Sequence, residues 1–276
     1  MTLKLMFITN DEKIAKIAEQ SGVDWIFIDL EIMGKDKRQG HLDTVISRHT
    51  IADVKKIRNV LSTSELLVRV NPLYEKSKQE IDEVIENGAD IIMLPYFKTS
   101  EEVRKFIDIV DKRVKTCILL ETPEAVDVLK SILSIRGIDY IHIGLNDLHL
   151  GYKMKFMFEL LADGTVEKLC KRIKETGIPY GFGGIARVGQ GTLPAERIIA
   201  EHYRLGSTMV ILSRTFCNAK NVGDYNEVLE TFNNGVKDIR VFEKELLNKG
   251  KEYFDNNTIQ VKLNVGQIVN QIKKKT

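Results

Sequence analysis

Apolar residues along the chain fall into short runs, rich in β-branched and aromatic side chains, that alternate with longer amphipathic stretches. The runs are "LKLMFI" (3–8), "WIFID" (25–29), "LLVRV" (66–70), "IIMLP" (91–95), "CILLE" (117–121), "YIHIG" (140–144), "YGFGG" (180–184) and "TMVIL" (208–212). Near-continuous apolar strands are buried on both faces, as in parallel sheets. The stretches between them carry helix signals. "HTIADVKKIRNVL" has Thr50 as candidate N-cap, Asp53 three residues on, and Ile51, Val54, Ile57 and Leu61 on one stripe. "SEEVRKFIDIVDK" starts at Ser100 with acids in its first turn, and "LPAERIIAEHYRLG" has Pro194 near its first turn and Gly206 placed to end it.

Equivalent strand positions at Val68, Leu94, Leu120 and Ile143 lie about 25 residues apart, close to the ~30 expected when about 250 residues are shared among eight βα units. This rhythm predicts a (β/α)8 TIM barrel, with a doubly wound open sheet as the alternative. Residues 1–225 are expected to form the barrel. Residues 226–276 form a C-terminal helical extension and tail, within the same domain or as a subunit-contact element.

Composition narrows the class. The 276 residues are 43% hydrophobic, with 41 Lys and Arg against 39 Asp and Glu, so no strong field argues for nucleic acid. The cysteines Cys117, Cys170 and Cys217 lack C-x-x-C spacing, and no apolar run reaches membrane-spanning length. A cytoplasmic protein without membrane or nucleic-acid partners is the expectation.

Barrel chemistry sits at the C-terminal ends of strands. Glu121 and Asp147 stand one βα unit apart at two such ends. Two hard carboxylates plus waters suit Mg²⁺ or Mn²⁺, although an acid after a strand also caps helices. Arg69 ends an apolar strand, where its permanent charge needs an anionic partner. That partner is either a substrate carboxylate or a barrel acid. "GFGGIARVGQG" lacks a Walker A or a strand-linked dinucleotide motif, so turn formation is the simpler reading. Arg187 and Arg214 are candidates for holding a second anionic group, while His142 reads as structural and His149 as ambiguous.

Taken in order, "DWIFIDLE", "LLVRVNP", "GADIIMLPYFKTSEEV", "LLETPEAV" and "IHIGLNDLHLG" resemble the HpcH/HpaI aldolase and citrate lyase β-subunit family over roughly residues 20 to 215. The resemblance implies a metal held by Glu121 and Asp147, with Arg69 at the keto-acid end of the substrate. It further implies that Gly144, Leu145 and Asn146 help hold the substrate carboxylate through the backbone, and that Glu31 lies near the waters of the metal. Relatives of this kind are homo-oligomers, often exchanging a C-terminal helix.

The chain departs from both branches of the family after Glu31: aldolases typically carry a catalytic His there, where this chain has Ile32, and citrate lyases an Asp-rich pattern and an Arg-bearing helix, where it reads "IMGKDKRQGHLDTVISRHT". His41 and His49 are the candidate replacements. His41 is the favoured proton shuttle, because His49 sits beside the Thr50 cap. The expected activity is carbon–carbon cleavage or formation of a 2-keto acid through a pyruvate-like enolate, with an aldehyde or sugar-derived acceptor. The alternatives are an acyl-CoA lyase of citramalyl or malyl type, and a non-catalytic metal-binding barrel serving as a partner in a biosynthetic cluster.

Overall fold

In a computed structural model, which describes residues 2–34, 47–217 and 224–275, eight parallel strands close in chain order into a barrel. They are β1 (Lys4–Ile8), β2 (Trp25–Asp29), β3 (Glu65–Arg69), β4 (Ile91–Leu94), β5 (Lys115–Leu120), β6 (Tyr140–Ile143), β7 (Tyr180–Ile185) and β8 (Met209–Leu212). The barrel, rather than the open sheet, is thus the architecture. Continuous apolar runs form here because both strand faces are covered: every residue of β2 and β4 is buried. Strand β3 ends one residue earlier than the sequence suggests, yet Val70 N–H still donates to Met93 O at 3.2 Å, so the ladder outlasts the strand.

Two compact units share the chain: residues 6–142, and residues 1–5 together with 143–276. In the first, helix α1 (Glu12–Gln20) is capped by Asp11, whose side chain accepts from Lys13 and Ile14 N–H. Helix α2 (Ile51–Arg58) starts after Thr50, whose N–H donates to Asp53 Oδ2 at 2.7 Å. Val54, Ile57 and Leu61 are buried, while Ile51 is half-buried at the edge of the stripe. Helix α3 (Ser77–Glu86) follows β3, and α4 (Ser100–Val110) is capped by Thr99 and Glu102. Two short helices, α5 (Pro123–Asp127) and α6 (Leu129–Leu133), complete this unit.

In the second unit, α7 (Leu145–Gly151), α8 (Glu159–Ala162) and α9 (Thr165–Lys174) precede β7. In "GFGGIARVGQG", Gly181 and Gly184 pair with β8, Gly183 sits at a shift in that register, and Gly189 and Gly191, both at positive φ, lie in the turns that follow, so the turn reading holds for the second half of the segment only. A Cβ on Gly181 would stand 2.1 Å from Met209 O, and Gly183 has φ 55 with Leu145 packed where its Cβ would be. Only glycine allows β7 to approach β8 this closely.

Helix α10 (Ala195–Leu205) is preceded by Pro194 as N-cap and ends at Gly206, φ 73. Two long helices, α11 (Tyr225–Leu246) and α12 (Lys251–Lys275), form the C-terminal extension. Glu243 on α11 accepts from Leu3 N–H at 2.7 Å. On α12, Val261, Val265 and Val269 make a buried stripe at fourfold spacing. Asn257, fully buried, bridges to α10 by donating to Arg197 O at 3.0 Å and Glu201 Oε1 at 2.9 Å. No described helix is long and apolar enough to cross a membrane.

Candidate active site

Strand register builds the centre of the site. In the β2–β3 pair, Asp29 stands opposite Arg69 at the C-terminal ends of both strands. The guanidinium donates from Nε to Asp29 Oδ1 and from Nη2 to Asp29 Oδ2, both at 2.9 Å. This is a two-pronged grip that only a planar fork can make. Glu31 Oε2 lies 3.4 Å from the same Nε, and the guanidinium carbon stands 5.5 Å from the Phe27 ring centroid. Burial works against the charge on Arg69, but Asp29, Glu31 and Glu121 together hold its pKa above the usual arginine value. Of the two partners open to Arg69 in the sequence, the barrel acid is therefore present. The third nitrogen, Nη1, makes no hydrogen bond among the described residues, and the side chain keeps 13% exposure. Donor capacity for a substrate anion remains.

Glu121 follows β5 and is 3% exposed. Helix capping does not account for it, because the next helix is capped by Thr122, whose hydroxyl accepts from Ala125 N–H at 3.2 Å. The same hydroxyl donates to Phe97 O at 2.7 Å. Tyr96, held at φ 50, directs its N–H to Glu121 Oε1 at 3.0 Å. A non-glycine residue in the left-handed region is strained, and here the strained peptide orients a carboxylate. Three acidic side chains thus act on one guanidinium, an excess of negative charge that a divalent cation would balance. Among the described residues no group of three or more His, Cys, Asp and Glu is arranged to hold a metal. The donor set fits a cation that keeps most of its waters, as Mg²⁺ does, and not a full protein cage.

The second unit carries the remaining candidates. Asp147 is 7% exposed in the first turn of α7, whose N-cap Gly144 provides no side chain. Leu145 is buried and Asn146 half-buried, and first-turn N–H groups such as theirs have no partner inside the helix. Arg187 lays its stem against Gly235 of α11, and its buried Nε has no hydrogen-bond partner among the described residues. Arg214 is exposed in the turn after β8.

His41 lies outside the described residues. His49 is placed: its Nδ1 accepts the Asp29 backbone N–H at 3.1 Å, which braces the strand end. His149 is buried, with Nδ1 3.2 Å from Leu145 O, and burial pulls its pKa below the usual histidine value. His142 is buried within β6, as a structural residue would be. Ile32, where aldolases carry histidine, is half exposed and uses its backbone N–H to bond Asn71 Oδ1 at 3.0 Å. Asp29 and Asn71 were not singled out by sequence. The signal for each was its place beside Arg69 and Glu31 in "FIDLE" and "VRVNP".

The chain is 25% identical over 205 residues to the 2-keto-3-deoxy-L-rhamnonate aldolase of Shigella dysenteriae, covering 63% of this chain and 71% of that protein. It superposes on an HpcH/HpaI aldolase from Desulfitobacterium hafniense with TM-score 0.61 and 17% identity, over 87% of this chain and 93% of the other. The citrate synthase SbnG matches with TM-score 0.60 and 16% identity, over 83% and 92% of the two chains, a likeness of fold. A family profile matches residues 4–178, and the chain belongs to the HpcH/HpaI aldolase/citrate lyase family.

Proposed function

We propose that this chain is a divalent-metal-dependent carbon–carbon lyase that makes or breaks a 2-keto acid through a pyruvate-like enolate. The observation that carries the reading is Arg69, fixed by Asp29 and Glu31 yet retaining Nη1 for a substrate, with the buried carboxylate of Glu121 acting on it. Glu121 and Asp147 would hold Mg²⁺ or Mn²⁺. When bound, that ion supplies positive charge at the keto and carboxylate oxygens, where the enolate develops.

Arg69 donates to the keto-acid oxygens, and its fork keeps them in one plane. The Gly144–Asn146 backbone offers N–H groups to the substrate carboxylate, and Glu31 orients the water or side chain that moves the proton. Arg187 and Arg214 suit a second anionic group on the substrate. The acceptor class is an aldehyde or sugar-derived aldehyde, in keeping with the sugar-acid substrate named for the Shigella relative.

The deciding experiment follows deuterium exchange into the pyruvate methyl group, with Mg²⁺ or Mn²⁺, beside cleavage and condensation assays using oxaloacetate and a panel of aldehydes. Exchange and aldol turnover support the reading. Dependence on a CoA thioester would instead favour an acyl-CoA lyase, and metal binding without any turnover a non-catalytic barrel. Light scattering is expected to give a mass above the monomer, since the extension is proposed to contact other subunits.

A further inference from the structure

Immediately after Glu31 the chain makes two hydrogen bonds to a single atom. The N–H groups of Ile32 and Met33 both donate to Asn71 Oδ1 at 3.0 Å. The amide nitrogen of Asn71 donates in turn to Glu80 Oε1 at 2.7 Å, and its backbone N–H reaches the same oxygen at 3.3 Å. Asn71 and Glu80 are 8% and 7% exposed. Helix α3, which bears Glu80, is tied to the strand-three loop by Tyr74 N–H donating to Ser77 Oγ at 2.8 Å.

This arrangement has direction. An asparagine amide is an acceptor at one end and a donor at the other, and its partners decide which way it faces. With Glu80 on the nitrogen side, the oxygen must face the two peptide N–H groups. Turned over, the amide would set NH₂ against two donors and oxygen against a carboxylate. The arrangement is also costly, because burial disfavours a charged Glu80 and pushes its pKa above the usual glutamate value. Apolar residues of the same volume would fill the space at less cost. They could not fix the orientation of the peptides that follow Glu31.

We infer that Asn71, locked by Glu80, is a positioning residue that sets the Glu31 carboxylate against Arg69. Helix α3 fixes Glu80, Glu80 fixes the Asn71 amide, and Asn71 fixes residues 32–33. Glu31 is then held from both sides, since its own N–H donates to Asp29 Oδ1 at 3.2 Å and its Oε2 lies 3.4 Å from Arg69 Nε. The role of this clamp in turnover rests on the lyase reading; the clamp itself does not.

Reciprocal exchange of the two partners tests it. Asn71→Asp keeps acceptors for Ile32 and Met33 but sets two carboxylates face to face. Adding Glu80→Gln returns a donor to the pair. Three quantities are read on the full chain: amide exchange at Ile32 and Met33, the Glu31 carboxyl ¹³C signal assigned with Glu31→Gln, and kcat and KM for pyruvate methyl exchange.

In Asn71→Asp the two amides should exchange about tenfold faster or more. The Glu31 signal should move, and kcat should fall on the order of tenfold with KM within about twofold. The double variant should restore all three, and Glu80→Gln alone, which keeps an acceptor for Asn71 but lets the amide pair turn over, should shift them in the same direction by less than Asn71→Asp does. If Asn71→Asp does not fold, Asn71→Ser, which removes the bridge without adding charge, takes its place.

Unchanged amide exchange and an unmoved Glu31 signal overturn the inference. So does a kcat loss that persists in the double variant after the amides and the signal have recovered. A wild-type chain that does not exchange pyruvate protons defeats the lyase reading, while the amide and carboxyl measurements still decide the clamp.

Discussion

Asp29 and Arg69, neighbours in register on β2 and β3, hold each other through two hydrogen bonds of 2.9 Å, with side-chain exposures of 2% and 13%. Removing one partner of so buried a pair strands the other charge, at a cost of about 3–5 kcal/mol. Asp29→Asn should lie toward the lower end of that range, because Glu31 remains 3.4 Å from the guanidinium. Urea denaturation is the check, and an unshifted midpoint would show that the pair adds nothing to stability. Arg69→Lys keeps the charge and loses the fork. Its kcat/KM for keto acid should fall about ten- to a hundredfold, the equivalent of one charged hydrogen bond; unchanged constants would remove Arg69 from substrate binding.

The metal prediction rests on buried Glu121, whose following helix is capped by Thr122 instead, and on buried Asp147 in the first turn of α7. Chelation should abolish turnover, and Mg²⁺ or Mn²⁺ should restore it. Calorimetric titration of the metal alone should show markedly weaker binding for Glu121→Gln and for Asp147→Asn. Full activity in chelated protein, or wild-type metal affinity in both variants, would refute the assignment.

Glu80 gives stability a pH dependence of known sign. Burial raises its folded pKa, against the opposing hydrogen bonds from Asn71 and Tyr74. The folded state therefore binds the proton more tightly than the unfolded chain does. The associated stability is fully present below the unfolded value of about 4.3 and is lost as pH rises through the folded value. Glu80→Gln has no such loss. Relative to wild type it should become progressively more stable as pH climbs above about 4.3, in urea titrations run from acid to neutral pH. Parallel pH profiles for the two proteins would rule this out.

What the sequence disclosed follows from which forces are local. Strands buried on both faces leave continuous apolar runs, so β2 was legible to the residue and β4 nearly so. Glu121 stood out because an acid directly follows such a run, whereas Asp147, read as a strand-end acid, lies in the first turn of α7, four residues past the end of β6. The grip of Asp29 on Arg69 was not, because register between strands separated by a long crossover is set by packing. Glu80 was hidden for a similar reason. In the first turn of an amphipathic helix it reads as an ordinary surface acid, and only the return of Asn71 against α3 buries it.

With Ile32 where the family resemblance implies a histidine, the lyase reading needs its base from another residue. A histidine suits the task because its ordinary pKa lets it accept and return a proton near neutrality. His49 has a structural duty: its Nδ1 accepts the Asp29 N–H at 3.1 Å, so His49→Asn should disturb the strand end that carries Asp29. Its expected signature is a shared loss of stability and turnover. His41 is the shuttle favoured by the sequence, and on that proposal His41→Asn should lower pyruvate methyl exchange selectively, with unfolding midpoint and metal affinity close to wild type. The pH profile separates the two cases further, since loss of a titrating base should remove the limb it governs. Wild-type exchange by His41→Asn at every pH would transfer the role to solvent water oriented by Glu31, whose carboxylate already stands against Arg69.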